Sequence, residues 1–398
     1  AVPLETDLTL EDVRLSAVGR LSGLALGGIA AGRDLTVGEL SFEAGNDGLR
    51  MRGTGALAGI ATQLAVEMDF TDGPPAQVIQ KVTVAGTAEA AQLVALGLDT
   101  PELGVEGSAA LRLHLVGRRS GRTDIAVRAD LARLGLRADR LNWAKAVGRP
   151  ALAEAQLVLE RNRLTSVERM RLEGEGVSVQ AMLTVPRSGP RRLVLNRAVL
   201  APGSDVQGEI VWPRGEGQPW TVRLSGASLD ISGEMARKPT PTGPGGEVAG
   251  PPWNAELRVE RVVLGVGRTL SGVQARSDND GLVTRSARVT GRAGSGELEL
   301  SILPSGLPQR RSMTLTAQDA GALLVALDVM DDMRGGTLHL TASYDDARPG
   351  HPLSGTAEVA DFGMRNAPAI GKLLQAITVV GAIDAFSGPD LRFSRLVA

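Results

Sequence analysis

The sequence predicts a mainly β fold of antiparallel strands with a few short helices. Three observations carry this. The dominant hydrophobic period is two, the mark of a sheet with one apolar and one wet face. Strands buried on both faces, as in parallel βαβ units, read instead as continuous apolar runs. Glycine supplies 50 of 398 residues while aromatics are only 3%, so the core must be built from Leu, Val, Ile and Ala between many turns. Apolar residues at helical spacing are confined to short pieces.

Along the chain, the opening AVPLETDLTLEDVRLSAVG alternates like a strand. It has neither the charged nor the apolar region of a signal peptide. Asn46-Asp47-Gly48 and Asp72-Gly73-Pro74 mark turns. Glu89 to Leu96 has helical spacing. Leu111, Leu113 and Leu115 then alternate with Arg112 and His114. Asn142 to Val147 is expected to form a turn or two of helix. Val177, Val179, Ala181, Leu183 and Val185 make another apolar face. Residues 236–252, ARKPTPTGPGGEVAGPP, are rich in Pro and Gly and read as an exposed loop or linker. That places a first β segment at 1–235 and a second at 253–398. In the second, Leu257 and Val259 alternate with Glu256, Arg258 and Glu260, and Asp280-Gly281 marks a turn. Leu298, Leu300 and Ile302 alternate with Glu297, Glu299 and Ser301. Met313 to Ala317 is a strand, Asp319 to Leu327 a short helix, and Leu338 and Leu340 lie on a strand over 337–341. Pro368 to Ile377 has helical spacing again. Leu93-Val94-Ala95-Leu96 recurs as Leu324-Val325-Ala326-Leu327, each after one strand and before another, which suggests an internal duplication.

Composition narrows the function. Lys+Arg is 43 and Asp+Glu is 45, so a net charge of -2 gives no reason to expect a nucleic-acid partner. The absence of cysteine excludes disulfides, thiolate metal sites and Cys nucleophiles. Histidine occurs only at 114, 339 and 351. No H-E-x-x-H, G-x-S-x-G or Walker-type loop is present. Gly265-Val266-Gly267 lacks the third glycine and the βαβ setting of a dinucleotide loop. Asp278-Asn279-Asp280-Gly281 lacks the Glu that would complete a calcium loop and reads as a tight turn. Asp328, Asp331 and Asp332 read as a solvated helix end, and His114 and His339 as solvent-facing strand residues. Trp143, Trp212, Trp220 and Trp253 sit near turns or strand starts and are expected to pack at sheet ends. The expectation is therefore a non-enzymatic protein with no cofactor, no metal and no catalytic residue. No stretch reaches the roughly 18 apolar residues of a membrane span. Both ends read as if cut from a longer protein.

An apolar sheet face must be covered by a second sheet, by helices or by a ligand. Periodicity alone favours a sandwich of two sheets. A curled sheet would instead line a trough, and an acyl chain gains about 0.8 kcal/mol per buried CH₂.

A resemblance shifts this balance. The run 361–396, DFGMRNAPAIGKLLQAITVVGAIDAFSGPDLRFSRL, resembles the AsmA-like C-terminal signature at Asp361, Phe362, Ala367, Pro368, Leu373, Leu374, Gly381, Gly388, Phe393 and Leu396. It departs from that pattern at Thr378-Val379 and Pro389-Asp390. LNWAKAVGRPA (141–151) and AGALLVALDVMDDMRGG (320–336) resemble YhdP-type members of the family. The resemblance implies a long curled antiparallel sheet forming a hydrophobic groove. It implies a periplasmic body, anchored in the inner membrane by an N-terminal helix outside this chain, which moves phospholipid to the outer membrane and supports its barrier. The partners implied are phospholipid acyl chains and, through regions outside this chain, the two membranes. The groove candidates are Leu111, Leu113, Leu115, Val177, Val179, Leu183, Leu257, Val259, Leu298, Leu300, Ile302, Leu338 and Leu340. The alternative is a non-catalytic periplasmic scaffold for outer-membrane protein assembly.

Overall fold

The computed structural model describes residues 14–30, 33–98, 103–215, 217–236, 250–306, 309–365 and 391–397. The chain is mainly β, in unclosed, curled sheet with a few short helices. It divides into two compact units, one of residues 1–139 and 143–188, the other of residues 140–142 and 189–398. The main division falls between Ser188 and Gly189.

Unit 1 contains β1 (Ser16–Ser22), β2 (Ala25–Ala30), β3 (Arg33–Gly45), β4 (Gly48–Leu57), β5 (Ile60–Asp69), β6 (Val78–Glu89), β7 (Gly104–Arg118), β8 (Arg122–Asp130), β9 (Leu134–Ala138), β10 (Trp143–Lys145), β11 (Ala151–Glu160), β12 (Arg163–Gly174) and β13 (Val177–Thr184). β1 and β2 both pair with β3, and successive antiparallel neighbours then run from β3 to β8, followed by β11, β12 and β13. β9 and β10 form a small flap on the first residues of β7. Helix α1 (Ala90–Leu93), continued by a wider π turn to Leu98, connects β6 to β7. The expected helical turn at Asn142 to Val147 is instead strand β10, because Trp143 and Lys145 alternate inward around exposed Ala144 and pair with β9.

Unit 2 contains β14 (Arg191–Leu200), β15 (Ser204–Trp212), β16 (Trp220–Asp230), β17 (Trp253–Gly265), β18 (Arg268–Asn279), β19 (Thr284–Ala293), β20 (Gly296–Pro304), β21 (Arg310–Ala317), β22 (Met333–Asp345), β23 (Leu353–Met364) and β24 (Leu391–Val397), with α2 (Ser232–Met235) and α3 (Ala320–Ala326). Each strand pairs with the next, and all of these pairings but one are antiparallel. β16 and β17 run parallel, Trp220 beside Trp253. This corrects the expectation of a wholly antiparallel sheet. A parallel pair needs a crossover of a dozen or more residues, and residues 231–252 provide it. The Pro/Gly-rich segment thus returns the chain to the same sheet. Its residues 237–249, the expected helix Pro368 to Ile377, and Ala367, Pro368, Leu373, Leu374, Gly381 and Gly388 of the signature lie outside the described residues.

Buried apolar residues form three separate clusters. Two lie in unit 1, around Val37, Leu40 and Leu64 and around Ala88, Leu93 and Leu134, and one lies in unit 2 around Val259, Leu298 and Leu323. Among the described residues no helix is long and apolar enough to cross a membrane.

Candidate functional site

The register of the ladders joins the alternating side chains of separate strands into lanes that cross each sheet. In unit 1 one lane runs Phe42–Met51–Val66–Val82–Leu115–Ile125–Leu157–Val167–Leu183, each residue paired with the next. No polar side chain interrupts it. Leu113 lies in a neighbouring lane between Val84 and Val127, and Leu111 in a third that reaches Val179 through Ala129, Ala153 and Leu172. Val177 begins β13 on the same face and is buried.

In unit 2 the corresponding lane is Leu195–Gly208–Leu224–Leu257–Ala275–Val289–Leu300–Leu315–Leu340–Ala357. At about 4.8 Å per strand it spans about 43 Å, well beyond the half of a ~30 Å hydrocarbon core that one lipid's chains occupy. Ile302 belongs to the lane on one side, with Met313, Ala287, Ala255 and Val222. Leu298, Leu338 and Val259 belong to the lane on the other side, with Ala317, Val359 and Val273. All thirteen groove candidates therefore fall on the apolar faces of their units.

The apolar face of unit 2 is graded. Across the Leu298 lane, Val206, Val259, Val273, Leu298, Ala317, Leu338 and Val359 are buried. Helix α3 seals this side, its Ala320, Leu323 and Ala326 joining the same cluster. In the Leu300 lane every residue is half-buried. The inner face of a sheet sandwich would be covered throughout; here one lane is covered and the next keeps contact with solvent.

Among the described residues of the stretches that carry the family resemblance, several are buried. In unit 2, Asp361 adopts a left-handed conformation (φ 55°); at that point the inward phase of β23 changes and Phe362 is turned in to 2% exposure. The facing Gly336, also left-handed, leaves the necessary room, since a Cβ there would lie 2.7 Å from the Phe362 Cβ. Gly321 is needed for close approach, because a Cβ would lie 2.6 Å from the Met333 carbonyl oxygen. In unit 1, Trp143 and Lys145 are buried. The Lys145 ammonium donates to the carbonyls of Leu131 and Leu134, each at 2.7 Å, and pins the turn between β8 and β9. Burial pushes its pKa below the ordinary lysine value, with the Asp130 charge opposing.

The opposite face is charged. Glu209, Arg223, Glu256 and Arg276 sit side by side on β15 to β18 with contacts of 2.7, 3.9 and 3.3 Å. They line a shallow cavity of about 640 Å³ with Arg258, Gln274 and Arg288. His114 and His339 are exposed on the polar faces, as expected, and His114 Nδ1 lies 3.1 Å from the Thr83 hydroxyl. The Asp278–Gly281 stretch is a turn: the Asp280 carboxylate accepts from the Leu282 and Val283 amides and Asn279 from the Gly281 amide. Asp328 pairs with Arg268. Among the described residues no three His, Asp or Glu side chains gather as metal ligands would.

One buried polar group was not visible in the sequence. Arg311 and Asp346, 5% and 7% exposed at their side chains, form a two-pronged pair at 2.8 and 2.7 Å. Arg311 also donates to the Thr284 carbonyl at 2.6 Å and lies 4.1 Å over the Tyr344 ring. The hydrogen bonds from Arg311 hold the Asp346 carboxyl below its ordinary pKa against the opposing effect of burial. Nothing in the local sequence links residues 35 apart; only the β20–β21–β22 ladder brings them together.

In comparisons with known proteins, no family model, no curated protein and no solved structure matches this chain.

Proposed function

We propose that the chain is a non-enzymatic segment of a lipid-transfer conduit whose half-covered apolar lanes hold phospholipid acyl chains. The observation that carries this is the Leu300 lane: ten strands wide, without a charged side chain, and half-buried from end to end. Hydrocarbon occupying such a lane gains free energy with each methylene and needs no specific polar partner. The resemblance to AsmA-like, YhdP-type proteins supports placing the segment in the periplasm of a Gram-negative cell. There it would form part of a longer, inner-membrane-anchored protein that carries phospholipid between inner and outer membranes and so maintains the outer barrier.

The test is extraction and mass spectrometry of lipid from the purified chain, beside native mass spectrometry of variants. Leu300→Asp puts a carboxylate where only hydrocarbon is offered. Bound phospholipid should fall by at least about tenfold, the equivalent of 1.4 kcal/mol. Thr314→Asp, on the exposed charged face of the neighbouring strand, should leave it unchanged. A chain that extracts no lipid, or a Leu300→Asp variant that retains it, removes the conduit and leaves the non-catalytic scaffold for outer-membrane assembly.

A further inference from the structure

The apolar face of unit 2 ends, on the side away from α3, in a rim unlike its other lanes. Two residues beyond Leu193, Ile210, Val222 and Ala255 on their strands stand Arg191, Trp212, Trp220 and Trp253. Arg191 pairs with Trp212 and Trp220 with Trp253. Across the β15–β16 hairpin the rings of Trp212 and Trp220 stack, with centroids 5.8 Å apart and planes at 25°. Farther along the same rim, two residues beyond Met313 and Ala342, Arg311 pairs with Tyr344. Three of the chain's four tryptophans and its single tyrosine therefore share one boundary between hydrocarbon lanes and water. Trp220 is 40% exposed. A cavity of about 560 Å³ opens beside it, lined by Pro213, Gln218, Pro251, Pro252 and Asp280. Arg191 is exposed, and Arg285, on the strand face of Ala287 and Val289, keeps a half-exposed guanidinium while paired with Asp280.

An indole or phenol joins a broad apolar body to one polar N–H or O–H, and it favours the level where hydrocarbon meets water. A guanidinium offers a planar fork matched to phosphate oxygens. On the α3 side, Leu298, Leu323 and Phe362 are buried in the cluster that the helix joins. We propose that this aromatic–arginine rim is the headgroup edge of the conduit. Two-chain lipids bearing a phosphate lie with their tails along the Leu300 lane, their ester groups level with Trp220 and Trp253, and their phosphates at Arg191 and Arg285. This assignment rests on the conduit reading and adds an orientation and a ligand class to it.

The test uses tryptophan emission of the full chain carrying Trp143→Phe, which leaves the three rim indoles as the only reporters. The chain is loaded from phosphatidylglycerol vesicles carrying a nitroxide either near the glycerol or at the chain methyl end. The glycerol-level label should quench more strongly, by about twofold or more, because the indoles are held at the interfacial level. Equal quenching, or stronger quenching from the methyl end, with lipid still recovered by extraction, overturns the rim assignment and leaves the conduit standing. Failure to recover lipid at all overturns both. In the otherwise native chain, Arg191→Gln with Arg285→Gln should shift uptake from a mixture of phospholipid and diacylglycerol several-fold toward diacylglycerol. An unchanged ratio removes the phosphate contact.

Discussion

Leu93-Val94-Ala95-Leu96 and Leu324-Val325-Ala326-Leu327 are the same four residues at the same place in a hairpin, between two strands that pair with each other. Their seating differs. In unit 1 only Leu93 of helix α1 is buried, the chain slackens into a π turn, and Leu96 is exposed. The inserted turn is held from outside, by Gln92 donating to the Gly59 carbonyl at 2.6 Å. In unit 2 the repeat sits one position out of phase: Leu323 and Ala326 are buried and Val325 is exposed. Helix α3 is capped by the Asp319 side chain, which accepts from the Ala322 amide at 2.9 Å, and Phe362, Met364 and Met333 close over it. A shared tetrapeptide thus specifies a helical plug in a hairpin, while the strands around it decide how firmly the plug closes its side of the apolar face.

The largest expected effect tests that difference directly. Phe362→Ala removes an almost fully buried ring from the α3 cluster and should cost about 3–5 kcal/mol. Leu93→Ala acts in a smaller cluster of mostly Ala and Leu and should cost about 2–3 kcal/mol, the low end for buried Leu. Denaturant melts combined with amide exchange over α3 and α1 measure both. Equal costs, with exchange rising equally at the two helices, would show that the plugs are equivalent after all.

The second break is at the opposite edge of unit 2. Asp346→Asn leaves the buried Arg311 charge without its carboxylate, a change that typically costs about 3–5 kcal/mol, of which the Tyr344 contact and the Thr284 carbonyl recover part. The pH dependence has a definite sign. Asp346 has a depressed pKa in the folded chain, so its contribution is present above the ordinary carboxylate value of about 3.8 and is lost as pH falls through its lower folded value. An acid titration of stability should show that loss in the native chain, and the Asn variant should lack it. Native and variant curves that stay parallel below about pH 4 would show that the pair stabilises nothing.

Most of the sheet was legible because its cause is local. Leu111, Leu113 and Leu115, or Leu298, Leu300 and Ile302, declare a face by alternation alone. Which lane is sealed was not legible. Leu298 and Leu300 are indistinguishable in sequence; their difference comes from α3, placed by Gly321, and from the left-handed Asp361, where the inward phase of β23 changes and the period that makes strands readable is broken. The parallel β16–β17 pair was missed because both strands look alike whichever way they pair, and the crossover between them resembles a linker. The rim escaped for the same reason: Trp220 and Trp253 are 33 positions apart and become neighbours only through that pairing. Asn142 to Val147 failed because six residues with two inward side chains fit either period.

The smallest effect addresses the caps. Asp319→Ala removes the acceptor for the Ala322 amide at the start of α3, and loss of such a cap costs about 1 kcal/mol. Because α3 is already seated by Leu323 and Ala326, the change should show as faster amide exchange in its first turn, with the Leu298 lane still protected. In unit 1, Gln92→Ala removes both the tie to Gly59 and the bond the Glu89 amide donates to the Gln92 side chain at 2.8 Å. With so little of α1 buried, exchange there should rise through the whole turn and into Leu96. If instead α3 loosens as a body and α1 does not, the seating argument is inverted, and the covered side of unit 2 is held by its cap rather than by the Phe362 cluster.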